Sequence, residues 1–381
     1  VDLGAEYPIE RVRIRVVQSP AGQTTHALRF GLSADELAEA HRWIQYTREG
    51  DWLEYRSPQA VEAPPEGPDE PDLGRGAAWV RHHPMFISGL SVQMPAPSEA
   101  HVDTYFSDFG ANAVHLWATG LPTRMDGWRA SGGGDAPFVS WVLDDGTSAD
   151  NGLLLGGYPA DAPGRIGYQV GDEPMSLEAL REIEHGVDAI RAHDPKALVY
   201  VNFSFHAPDL DDVLAHYAEM DADIVSYDTY TTRRNLYERA AIFRAAGLQM
   251  GRPYWCYLPS YAELGDDPHR HPSALRWAAF AHALFGYTGY TWFTYQVNPD
   301  HGLQAALFQG PDLDAARTDD FIVAAQINRE LGHLGRALTQ LTSSAVRYVA
   351  AIDIGELSYP VGVPAWAPGA GGDPYLWGVS T

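Results

Sequence analysis

Between residues 85 and 341 short apolar runs alternate with amphipathic ones, and this alternation limits the fold more than any other feature of the chain. The apolar runs fall at 85–93, 113–118, 138–143, 166–170, 197–202, 223–227, 253–257 and 289–295. Each has the length of a buried strand. Stretches of helical period lie at 98–109, 176–193, 209–220, 236–246 and 273–285, and a last one at 319–341. Strands and helices in alternation predict a parallel sheet. Eight strands in about 257 residues predict that this sheet closes into a (β/α)8 TIM barrel, for which about 250 residues are usual. No Gly-x-Gly-x-x-Gly follows an early strand, which weighs against a dinucleotide-binding fold.

Composition removes several function classes. The formal charge of −24 disfavours nucleic acid or an anionic membrane as partner. No apolar run reaches the length of about eighteen residues that a membrane span needs. The single cysteine, Cys256, excludes an internal disulfide and any Cys-based metal cluster, and is expected to be a small buried hydrophobe. Lys196 is the one lysine among many arginines, a bias expected of a GC-rich bacterial genome. The chain carries 11 Trp and 20 Tyr, and such aromatics fill cores or stack on sugar rings.

The flanks read differently from the barrel. Leu3, Ile9, Val12, Ile14 and Val16 alternate with charged residues, a strand pattern. Val-Asp-Leu-Gly-Ala-Glu-Tyr-Pro-Ile-Glu-Arg-Val-Arg-Ile at 1–14 resembles the middle strands of discoidin-type (coagulation factor 5/8 type C) β-sandwich modules. Gly22-Gln-Thr-Thr-His26 and Gly50-Asp-Trp-Leu53 fit the same module loosely. The resemblance implies carbohydrate or surface binding, with no binding residues to carry over. A structural β-layer packed on the main domain explains the same pattern. Residues 33–47 look helical, with Ser33 and Glu36 at capping-box spacing. The domain expectation is therefore a partial β-sandwich at 1–60, a linker rich in Pro, Glu, Asp and Gly at 61–84, the barrel at 85–341, and a C-terminal β segment at 342–381 in which Val346, Tyr348, Ala350 and Ile352 alternate. Residue 1 falls inside an already patterned stretch, so a longer parent protein is expected.

Functional groups of such barrels sit at the C-terminal ends of the strands. There this chain places His115 and Trp117 after the second strand, and Asp144 and Asp145 after the third. Asp172 and Glu173 follow the fourth, Asn202 the fifth, and Asp228 and Tyr230 the sixth. Trp255 and Tyr257 lie in the seventh, and Trp292 and Tyr295 in the eighth. Carboxylates that protonate a leaving oxygen, beside aromatics that stack on pyranose faces, are what glycoside hydrolysis requires. Because Asp172 and Glu173 are adjacent, strand alternation predicts that one of them faces away from the mouth.

Gly171-Asp-Glu-Pro174, Asp228-Thr-Tyr230 and Gly289-Tyr-Thr-Trp-Phe-Thr-Tyr295 resemble the (β/α)8 glycoside hydrolases of the large retaining clan, in particular β-galactosidase-like branches with a GDEP motif. The resemblance implies that Glu173 is the general acid/base and Trp292 the aromatic floor beside the reacting sugar. It also implies a Glu nucleophile after the seventh strand, and here the chain departs: Tyr254-Trp-Cys-Tyr-Leu-Pro-Ser260 has no carboxylate before Glu263. Either Glu263 folds back, or Asp228, Asp144 or Asp145 supplies the second carboxylate, or the barrel only binds glycans. Asp228, ahead of Asp145, is the favoured partner, as the base of an inverting pair about 6.5–9.5 Å from Glu173. His269-Arg-His271 lacks a third ligand and no His-Glu-x-x-His occurs, so neither a metal nor any other cofactor is expected. The sequence thus predicts a secreted glycosidase acting on a poly- or oligosaccharide, with a non-catalytic glycan-binding barrel as the alternative.

Overall fold

The computed structural model describes residues 11–17, 22–30, 38–47, 49, 52–56 and, apart from 92–97, 117–120, 135, 150–151, 158, 160–161, 231–232, 261, 264–271, 297–302, 305–306 and 311–314, residues 73–347. The chain divides into two compact units, Val1–Asp72 and Leu73–Thr381.

In the first unit β1 (Arg11–Arg15) pairs antiparallel with β4 (Trp52–Arg56), Ile14 opposite Leu53. β2 (Gly22–Phe30) pairs antiparallel with β3 (Ala38–Thr47), Thr25 opposite Ile44. The helix expected over 33–47 is therefore a strand from Ala38 onward. Trp43, Ile44, Tyr46 and Thr47 are aromatic or β-branched residues that favour a pleated surface, and a ladder along all of β2 outweighs the helical spacing. Ser33 and Glu36 lie outside the described residues.

In the second unit α1 (Arg75–His82) occupies part of the stretch expected as linker. The barrel strands follow as β5 (Phe86–Ser91), β6 (Ala113–Leu116), β7 (Phe138–Val142), β8 (Arg165–Val170), β9 (Leu198–Ser204), β10 (Ile224–Asp228), β11 (Tyr254–Pro259) and, after a two-residue strand β12 (Ala262–Glu263), β13 (Gly289–Gln296). They form one closed barrel in the order β10-β11-β13-β5-β6-β7-β8-β9, each pair parallel. β12 forms a small antiparallel ribbon with β14 (Leu303–Gln304).

The connections are α2 (Glu99–Asp103), α3 (Leu121–Trp128), α4 (Leu177–His193), α5 (Leu210–Glu219), α6 (Arg233–Met250), α7 (Pro272–Phe285) and α8 (Asp319–Leu338). Ser98, Ser176 and Thr318 cap α2, α4 and α8 by accepting backbone N–H groups three residues on. α3 sits between the second and third barrel strands, where Pro122 and Gly127 hide its period. Residues 341–347 carry no strand, though Val346 packs on the core. The rest of the expected C-terminal β segment lies outside the described residues. Among the described residues no helix is long and apolar enough to cross a membrane.

Strand alternation sorts the barrel side chains into two sets. Outward residues such as Val114, Val170, Val201, Tyr227, Cys256 and Trp292 join the main core beneath the helices. The inward residues stack in layers. At the N-terminal end Phe86, Ala113, Val139, Leu198, Tyr200, Ile224 and Trp255 close the barrel with an apolar plug. Above them lie polar groups: Ser88, His115, Gln169, Asn202, Ser226 and Thr291, all buried. Leu90, Trp141 and Tyr257, with Tyr230 and Phe293 against them, form the layer nearest the mouth. A polar middle layer above an apolar plug positions chemistry at one end of the barrel only.

Candidate active site

The chain leaves β8 through two residues with positive φ, Gly171 at 62° and Glu173 at 44°. A Cβ at Gly171 would come within 2.5 Å of Asp144 Oδ1, so that position requires glycine. Glu173 adopts the left-handed region with a full side chain, a conformation that costs about 1 kcal/mol or more. Its N–H donates to the carbonyl of Asn202 at 2.8 Å, which holds it there. This turn breaks the strand alternation. Both acids consequently face the mouth, not one of them as alternation predicts.

Asp172 Oδ1 accepts from Asn202 Nδ2 at 3.0 Å and from Gln169 Nε2 at 3.3 Å. Asn202 Oδ1 in turn accepts from Ser226 Oγ at 3.0 Å. Asp172 is exposed to solvent, although protein atoms crowd it on most sides. Burial pushes its pKa up to about 7; the Asn202 hydrogen bond opposes this, and Glu173 and Asp144 reinforce it. Asp228, at the end of β10, is only 8% exposed and lies close enough to Glu173 and Tyr230 for both to shift its pKa. Burial first, then the Glu173 carboxyl, then Asp172, raise it well above the usual carboxylate range, with Tyr230 opposing. Burial and a neighbouring carboxylate therefore favour the protonated form of Asp228.

The remaining expected site residues divide. His115 and Tyr257 are buried inside the barrel, with Tyr257 Oη donating to Gln169 Oε1 at 2.5 Å. Tyr230 lies at the mouth, stacked on Phe293 with ring centroids 5.5 Å apart. Trp292 is not an aromatic floor: it points outward, is fully buried, and donates its Nε1 to Asn328 Oδ1 on α8 at 2.8 Å. Tyr295 also points outward, into an aromatic cluster with Tyr105, Phe109 and Phe308. Trp255 belongs to the plug at the opposite end, stacked on Phe86 at 4.3 Å.

Asp145 is exposed and folds back on its own turn, its Oδ1 accepting from the N–H and the hydroxyl of Thr147 at 2.9 and 2.6 Å. A residue satisfied by its own loop is a turn former, so Asp145 leaves the candidate catalytic set. Asp144 is close enough to raise Asp172 and takes its place as the mouth residue of that loop. Trp117 and the side chain of Glu263 lie outside the described residues. Sequence reasoning overlooks Gln169, Ser226, Trp141 and Phe293. The last two share an inward parity with flanking residues that a register argument could have exposed.

Among the described residues no three His, Cys, Asp or Glu side chains are arranged to hold a metal ion. A cleft of about 540 Å³ opens at the N-terminal end of the barrel, near Trp79, His83, Arg165 and Lys196, away from the carboxylates. Because Asp172 titrates near 7 when folded and near 3.9 when unfolded, folding binds a proton between those values, and stability falls as pH rises through them. Asp172→Asn is therefore expected to melt higher than the wild type at pH 8, with the difference vanishing toward pH 4. Thermal melts across that range check it.

No protein-family model and no curated protein sequence matches the chain. Among solved structures the fold is similar to a β-galactosidase from the psychrophilic Marinomonas ef1, at a TM-score of 0.50 and 11% identity over 69% of this chain and 63% of that one. It is similar also to a β-galactosidase from Bacillus circulans sp. alkalophilus, at 0.51 and 12% identity over 69% and 58%. The match thus spans less than two thirds of either structure's length, and at such identity the likeness is one of fold.

Proposed function

We propose that the barrel is a glycoside hydrolase, with Glu173 as general acid and Asp228 as the second carboxylate. The observation that carries this reading is the electrostatic coupling of these two carboxyl groups at the C-terminal mouth, beside Asp172 and an aromatic wall of Trp141, Tyr230 and Phe293. Asp228, held high by burial and the Glu173 charge, brings a proton to the pair. Glu173 is the less buried partner and faces the open mouth. It passes the proton to the glycosidic oxygen as the bond to the anomeric carbon breaks. Asp228, left ionised, meets the positive charge that develops on the sugar. In this respect the site resembles the large retaining clan, with Asp228 of the sixth strand doing what a seventh-strand Glu does there.

A close carboxyl pair belongs with retention of anomeric configuration, a wide one with inversion. The test is a panel of poly- and oligosaccharides and aryl glycosides, with proton NMR of the first-formed product. Retention is expected, and inversion would sink the close-pair mechanism. One observation favours a second reading, a glycan-binding barrel without turnover: β11 ends in Tyr257, Leu258 and Pro259 with no carboxylate. Glycan binding by calorimetry with no hydrolysis across the panel would establish that reading instead.

A further inference from the structure

A polar chain runs from Asp172 down into the barrel and ends on a histidine that the proposed chemistry leaves unused. Gln169 Nε2 lies 3.3 Å from Asp172 Oδ1 and 3.3 Å from the carbonyl of Gly171. Its Oε1 accepts from Tyr257 Oη. Tyr257 Oη lies 3.4 Å from both ring nitrogens of His115, and His115 Nδ1 lies 3.4 Å from Thr291 Oγ1. Gln169, Tyr257, His115 and Thr291 are all buried, so each must find its partners within the protein.

Two of these groups have fixed proton inventories. Burial pushes the His115 pKa down to about 3, so one ring nitrogen always offers a lone pair. Burial, with Tyr200, Asp172 and Asp228 adding, raises Tyr257 well above the usual phenol range, so its hydroxyl always has one proton to give. It can give that proton to Gln169 or to His115.

We propose that Gln169 is a positioning residue whose amide orientation, backed by Tyr257 and His115, governs whether Asp172 holds a proton. With Asp172 ionised, the amide N–H donates to it and the amide oxygen accepts from Tyr257, as observed. With Asp172 protonated, its O–H donates to Gln169 Oε1, Gln169 Nε2 donates to Tyr257 Oη, and the Tyr257 hydroxyl turns to His115. A half-turn of one amide and one hydroxyl rotation separate the two states, and Gln169, Tyr257 and His115 each keep a partner in both. The proton comes from the solvent that Asp172 meets at the mouth. Glu173 in its own loop, Asp144 after β7, Tyr200 and Asn202 on β9, Asp228 on β10 and Tyr257 on β11 face Asp172 and set where it titrates. Gln169 adds the element that distinguishes its two charge states.

The inference deepens the hydrolytic reading, but its test does not depend on turnover. The full chain is labelled with carboxyl-¹³C aspartate, and the Asp172 resonance is identified by its loss in Asp172→Asn. The pH titration of that resonance is then compared in wild type, Gln169→Met and Tyr257→Phe. Gln169→Met removes a bond from both forms, but the one to the ionised form is charge-assisted and the stronger, so the Asp172 midpoint is expected to rise by about one pH unit or more. Tyr257→Phe deletes a single oxygen and lets the amide turn, so the midpoint moves in the same direction and less far. A midpoint that stays in place, or falls, in either variant with a native circular dichroism spectrum overturns the proposal. If Gln169→Met does not fold, Tyr257→Phe decides alone. Failure of the hydrolytic reading would appear as absent turnover in the wild type and would leave this titration unaffected.

Discussion

Glu173→Gln is expected to lower turnover of an unactivated glycoside by about 10²–10⁴-fold, the usual contribution of a positioned general acid. The amide has the size of the acid and keeps the backbone bond to Asn202, so the fold is expected to survive. What disappears is the proton for the leaving oxygen. The loss should shrink for an aryl glycoside whose leaving group is already a weak base, because such a group departs without protonation. The pH profile adds a second readout. Asp228 is held high by burial and then by the Glu173 charge; removing that charge lets it ionise at lower pH. Residual activity, which needs Asp228 ionised, should therefore set in at lower pH in the variant than in the wild type. Steady-state kinetics on paired substrates from pH 4 to 9 check all three points. Full turnover in the variant would remove Glu173 from the chemistry.

The barrel was legible because strand length and helical period are properties of local sequence, and eight apolar strands alternating with six helical stretches leave few closures open. The two carboxylates were legible for a related reason: acids placed directly after apolar strands have nowhere to go but the mouth. The aromatics were not. Period two says that Tyr290 and Trp292 share one face of β13 and that Thr291 and Phe293 share the other, but it does not say which face looks inward. The choice is made by α8, whose buried Asn328 accepts from both Tyr290 and Trp292 and donates to the carbonyl of Phe109. No local pattern announces that partnership across more than thirty residues. Asp172 failed the same rule in the opposite sense, because positive φ values at Gly171, just before the acids, and at Glu173 itself end the alternation. Gln169 gave no signal at all, since an uncharged amide within a strand is ambiguous until its neighbours are known.

The arrangement at the mouth also has a stability side. Asp172 and Asp228 both titrate high, and Glu173 is held in a left-handed conformation. Each of these opposes folding at neutral pH, as is common where groups are held for chemistry. The offset must come from elsewhere in the unit. The strongest polar candidate lies at the opposite end of the barrel, around Asp223.

Asp223→Ala is expected to destabilise the second unit by about 3–5 kcal/mol, the cost of leaving a buried charge without its partner. Asp223 immediately precedes β10 and is 5% exposed. Its Oδ1 accepts from Arg75 Nε of α1 at 3.0 Å, and its Oδ2 accepts from the Val199 N–H of β9 at 2.8 Å and from Arg191 of α4. One carboxylate thus ties two helices and two strands together. α1 comes close at the same point, where a Cβ on Gly76 would collide with the Asp223 carbonyl. Removing the carboxylate takes from the Arg191 guanidinium, whose side chain is 9% exposed, its one buried carboxylate partner, leaving it the exposed Asp221 and backbone carbonyls, and orphans a buried N–H. For a unit of this size the loss corresponds to a Tm lower by roughly 6–20 °C. Asp221 is the internal control. It bridges the same two arginines, but its side chain is 58% exposed, so Asp221→Ala should cost about 1 kcal/mol or less. Thermal melts of both variants at one pH decide the matter. Equal melting temperatures for the two would show that burial does not amplify the Asp223 contacts and that the barrel's lower end is held by its apolar plug alone.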